Sequence, residues 1–76
     1  MSAEGPSRQW LAEGQVLCKQ QRYAEALDAC EQAIRLNPRL PLAYRGKAGA
    51  LWNLGDYWRA ARAYGRYRSL LLEVRC

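Results

Sequence analysis

The sequence predicts an all-α chain of four helices, paired into two helix–turn–helix units. Three observations carry this. The chain matches itself at an offset of 34 residues, which places Leu17 over Leu51, Tyr23 over Tyr57, Ala26 over Ala60, Ala29 over Ala63 and Leu36 over Leu70. Apolar residues recur at the i, i+3, i+4 spacing of one helical face, and no stretch alternates as a strand would. Prolines and a glycine stand where helices start and stop: Asn37-Pro38, Pro41 and Gly55. The organisation expected is a disordered polar lead over 1–6, a first unit over 7–40 and a second over 41–76.

Ser7 is a candidate cap for the first helix, whose apolar face carries Trp10, Leu11, Gly14, Leu17 and Cys18. The polar run Lys19, Gln20, Gln21, Arg22 interrupts the pattern. From Tyr23 a second helix places Ala26, Leu27, Cys30, Ala33 and Ile34 on one side and Glu25, Asp28, Glu31 and Arg35 on the other. Asn37-Pro38 ends it, because the residue before a proline avoids the helical region. Pro41 opens the third helix at a position where its missing N–H costs nothing. Leu54-Gly55-Asp56 reads as a turn with a C-terminal glycine. The fourth helix is expected from Tyr57 to about Glu73.

Composition excludes several function classes. The 76 residues carry 12 basic and 7 acidic groups, net +5, and no histidine. The commonest general base and metal ligand is therefore absent. There is also no threonine, and serine occurs only at 2, 7 and 69, so no nucleophile has a base beside it. No enzyme activity, metal or cofactor is expected. Cys18, Cys30 and Cys76 are odd in number and irregular in spacing, which fits neither a disulfide framework nor a zinc site. Cys18 and Cys30 fall on apolar stripes and read as core fillers. No secretory leader and no membrane span are visible, and a reducing cytoplasmic setting is expected.

The 34-residue helix–turn–helix period resembles the tetratricopeptide repeat, with its W-x2-L-G-x2-Y, A-x3-F and P signature. The first unit offers Trp10, Gly14 and Leu17, then Ala26-x3-Cys30, Ala33 and Pro38. The second offers Tyr44, Ala48 and Leu51, then Ala60-x3-Tyr64. Glu13 and Lys47 replace the family's leucine at equivalent places, either as an opposite-charge couple that pairs or as two tolerated, semi-exposed substitutions. The resemblance implies a short right-handed solenoid of two antiparallel repeats acting as a protein–protein interaction module, an adaptor or assembly domain. The first helices would line a concave groove for a peptide or a partner's helix, an acidic one included. Carried onto this chain, the groove residues are Arg8, Leu11, Gln15 and Lys19, then Arg45, Gly49, Trp52 and Asn53. Trp52 leads, as a large aromatic flanked by Arg45 and Asn53; the alternative is that it only packs across the turn to Tyr57. The clamp by which some relatives hold chaperone C-termini is not matched, since its sites hold Leu11, Gln15 and Gly46, or Ala12, Leu42 and Gly46.

Two further expectations concern the last helix. Its inward stripe reads as Tyr57, Ala60, Tyr64, Tyr67, Leu71 and Val74, as though it closed the stack by itself. Trp58, Leu70 and Leu72 are left over and keep a homodimer open. Charge is also uneven: 7 of the 12 basic residues and only 2 of the 7 acids lie in 41–76. Arg59, Arg62 and Arg66, with Arg68 nearby, give the rival function, binding of nucleic acid or another polyanion, against the plainer reading of a solvated convex face.

Overall fold

A computed structural model describes the backbone of residues 4–75 and the side chains of residues 5–72. It contains α1 (Glu4–Lys19), α2 (Tyr23–Leu36), α3 (Pro41–Asn53) and α4 (Tyr57–Arg75), with no strand among the described residues. The all-α, two-unit architecture is as expected. Packing is sequential: α1 lies on α2, α3 on α4, and α3 also lies against both helices of the first unit. Among the described residues α4 touches α3 alone.

Small residues set these distances. Ala26, Ala29 and Ala33 on α2 and Ala43, Ala48 and Ala50 on α3 are buried, so the backbones approach closely. Where the units meet, Leu11, Ala33 and Ala43 form one cluster, with Ile34 and Leu40 against it. Cys30, 1% exposed, is wedged between two glycines. A Cβ on Gly14 would stand 3.0 Å from its sulfur, and one on Gly46 only 2.8 Å. These glycines are therefore clearances for a sulfur atom held between three helices.

Helix ends follow local chemistry. Pro41 occupies the first turn of α3. The Arg39 N–H donates to Asn37 Oδ1 at 3.2 Å, turning the chain out of α2. Three expectations need correction. First, α1 begins at Glu4, inside the span expected as a lead. Pro6 fits there because first-turn amides have no partner inside the helix. Ser7 accordingly lies within the helix, fully buried, and does not cap it. Residues 1–3 and Cys76 lie outside the described residues.

Second, α4 turns a different face inward. Ala60, Ala63 and Leu70 are buried and Tyr67 half-buried, whereas Tyr57, Tyr64 and Leu71 are exposed. The true stripe repeats Ala26, Ala29, Ala33 and Leu36 of α2 at the 34-residue offset. Spacing from Tyr57 also yields a regular stripe, but rotated toward the open side. Val74 lies outside the described side chains. Third, Lys47 pairs with Glu31 of α2, Nζ to Oε2 at 3.6 Å, rather than with Glu13.

Candidate functional site

On the open side of the second unit, α3 and α4 enclose an apolar concavity of about 430 Å³. Its walls are Arg45, Ala48, Gly49 and Trp52 from α3 and Ala60, Ala61 and Tyr64 from α4. The helical period explains the set. Arg45, Ala48 or Gly49, and Trp52 follow one another at steps of three and four, as do Ala60 or Ala61 and Tyr64. Ala and Gly floor the hollow, and the two aromatics and the arginine rise at its rim. Gly49 has nothing within 4 Å of where its Cβ would be.

Trp52 is 61% exposed, a large apolar area to leave in water. It does not hang free, because its ring meets that of Tyr57 edge-on, with centroids 4.5 Å apart and planes at 61°. The expected contact across the turn therefore exists, and the indole still presents most of its surface outward. Tyr64 is braced likewise by Tyr67, with ring centroids 5.5 Å apart. Both rim aromatics are thus held in place by a neighbouring ring.

Of the groove residues expected from sequence, Arg45, Gly49 and Trp52 come together here. Arg8, Gln15, Lys19 and Asn53 are exposed on the same two first helices but lie outside the concavity. Asn53 turns its amide back on its own helix, Nδ2 donating to the Gly49 carbonyl at 2.8 Å. Leu11 has to be removed from the set: it is 7% exposed and belongs to the core where the units meet. Sequence reasoning missed Ala61 and Tyr64. The match of Ala26 and Ala29 to Ala60 and Ala63 already contained the signal, since it places Tyr64 at the position of Cys30, which faces the following helix.

The arginine face is a separate place. Arg59, Arg62 and Arg66 line a shallow hollow of about 360 Å³ with Tyr44, Lys47 and Ala63. Arg68 is not part of it, because two residues along a helix turn to a different side. Arg59 is also engaged at the head of α4: its N–H donates to Asp56 Oδ1 at 3.3 Å and its guanidinium meets Oδ2 at 3.5 Å. Lys47 is held by Glu31.

Burial pushes the Cys18 thiol up, and pushes that of the more deeply buried Cys30 up to about 11. For Cys30 the Cys18 and Glu31 charges add to desolvation, and Lys47 opposes it. Both are poor thiolates, as core fillers should be. Among the described residues no three His, Cys, Asp or Glu gather to hold a metal, and no helix is long and apolar enough to cross a membrane. Residues 7–40 match the family model of the tetratricopeptide repeat. No curated protein and no solved structure matches the chain.

Proposed function

We propose that the chain, whose residues 7–40 match the family model of the tetratricopeptide repeat, is an adaptor or assembly module that holds a peptide or a partner's helix along its first helices. Repeats of this family mediate protein–protein interaction. The observation that carries the finer reading is Trp52, exposed, braced by Tyr57, and set beside Arg45 over an apolar hollow. An aromatic anchor next to an arginine has the composition of an interface hot spot. Arg8, Gln15, Lys19 and Asn53 extend the surface with polar groups, all four of them hydrogen-bond donors to a peptide backbone or carboxylate. The excess of basic over acidic residues favours an acidic ligand.

Selection of peptides from a displayed random library, followed by titration of the winners against variants, tests this. Trp52→Ala is expected to weaken binding about 30-fold, the effect of losing an anchor worth ~2 kcal/mol. Arg45→Glu should discriminate against acidic peptides in particular. The polyanion reading through Arg59, Arg62, Arg66 and Arg68 predicts something else: affinity that falls steeply between roughly 50 and 200 mM salt. If Trp52→Ala leaves the selected ligands bound while Arg62→Glu with Arg66→Glu releases them, the groove is not the site.

A further inference from the structure

We propose that the chain assembles head to tail, α1 of one copy packing on the α3–α4 end of the next as α3 packs on α1–α2, with Glu13 seated over Gly65 between Arg62 and Arg68. The joint inside the molecule is the template. There α3 offers Ala43, Gly46, Lys47 and Ala50. The first unit receives Ala43 with Leu11, Ala33 and Ile34, and Gly46 lies against the Cys30 sulfur. At the edge of this joint Lys47 enters a mixed hollow lined by Asp28, Glu31, Gln32, Ile34 and Arg35, where Glu31 pairs with it.

Shifting every residue by 34 positions shows that both halves of a second such joint exist in each chain. The receiving half holds Arg45 for Leu11, Tyr64 for Cys30 and Arg68 for Ile34, all exposed, around the apolar hollow beside Trp52. The entering half is the outer face of α1, with Gln9, Ala12, Glu13 and Val16 for Ala43, Gly46, Lys47 and Ala50. These four are exposed, whereas Ala43 and Ala50 are fully buried. Among the described residues no helix covers either half.

Charge selects the occupant. Across the internal joint a lysine meets acids. In the shifted joint the lysine becomes Glu13, while Asp28, Glu31, Gln32 and Ile34 become Arg62, Gly65, Arg66 and Arg68. The sign inverts on both sides together, so complementarity is kept. Gly65, with nothing within 4 Å of a Cβ, leaves space for the glutamate. A symmetric pairing of two α3–α4 ends would instead set Arg45 and Arg68 among like charges. Tyr64 is larger than Cys30 and holds the entering helix further out than α3 lies, and Ala12 and Val16 fill the hollow beneath. Because the two surfaces differ, the contact is heterologous and does not close at two copies. The inference shares Trp52 and Arg45 with the groove reading and does not rest on it: Glu13 plays no part in peptide capture.

Sedimentation of the 76-residue chain under reducing conditions tests the assembly, from roughly 5 to 500 μM at roughly 50 and 500 mM salt. The expected result is a mean mass that climbs past the dimer without a plateau, displaced about tenfold to higher concentration by the higher salt. Glu13→Arg alone should give monomer with unchanged helical circular dichroism, and so should Arg62→Glu with Arg68→Glu. An equimolar mixture of those two variants should regain the assembly, since each then complements the other. A chain that is monomeric throughout, a dimer plateau indifferent to Glu13→Arg, or a mixture that stays monomeric would each overturn the proposal.

Discussion

The turn inside the first unit and the turn inside the second share one backbone path and differ in chemistry. After α1 the Gln21 N–H donates to the Cys18 carbonyl at 3.0 Å and the Arg22 N–H to that of Leu17 at 2.9 Å. After α3 the Gly55 N–H donates to Trp52 at 3.1 Å and the Asp56 N–H to Leu51 at 2.9 Å. Both are the paired C-terminal closure of a helix around a left-handed residue. That residue has φ 63° at Gln21 and 86° at Gly55. Glycine adopts this freely, whereas glutamine is disfavoured there by about 1 kcal/mol. Asp56 then caps α4, whereas Arg22 supplies no side-chain cap to α2 and instead pairs with Glu25, Nε to Oε1 at 3.0 Å. The contrast follows from the packing. The first unit has α3 against both its helices, and that contact holds a turn with poor local signals. Unit two has a neighbour on one side only, and its turn is specified by its own residues.

Four measurements test the contrast between the two units, by denaturant unfolding unless stated. The largest effect belongs to Leu51, 1% exposed, whose change to alanine should cost about 2–5 kcal/mol. Its counterpart Leu17 is only half-buried, and Leu17→Ala should cost about half as much. Equal costs would mean that the two units are equivalent cores. Next is pH. Cys30 keeps its proton to about 11 when folded and to 9.0 when unfolded. Its contribution is therefore intact below pH 9 and lost as pH rises toward 11, on the order of 2 kcal/mol in all. Cys30→Ala should flatten that part of the curve.

The third test exchanges the pivots. Gly55→Ala should destabilise by about 1 kcal/mol, and Gln21→Gly should stabilise by about the same amount. If Gln21→Gly gains nothing, the α3 contact already offsets the strain at Gln21. Smallest is the cap. Asp56→Ala should cost about 0.5–1 kcal/mol. Arg22→Asp should recover a few tenths, reduced by the loss of the Glu25 pair, which is worth roughly 0.3–0.5 kcal/mol.

Much of the fold was legible because it depends on local signals that survive in one dimension. The 34-residue offset, Pro41, Asn37-Pro38 and Gly55 place three of the four helix starts and the turns between them. Gln21 was not legible as a pivot, since nothing about glutamine announces a left-handed backbone. The site was half legible. Trp52, Arg45 and Gly49 stand out by residue type and helical spacing, whereas Tyr64 was assigned to the wrong side of α4. A run such as Tyr57, Tyr64 and Leu71 satisfies the 3.6-residue period as well as Ala60, Ala63, Tyr67 and Leu70 does. Only contact with α3 distinguishes them, because small alanines let two helices approach and tyrosines would hold them apart.

By itself the sequence determined the number of helices, their pairing into two units, the charge imbalance between those units and the poverty of catalytic groups. These depend on composition and on periods read along one chain. The tertiary structure alone decided which face of α4 is inward, that Leu11 belongs to the core, that Lys47 answers Glu31 instead of Glu13, and that the second unit leaves an aromatic-rimmed hollow open. Those outcomes depend on where one helix lies across another, and a helix carries several regular faces of which packing buries only one.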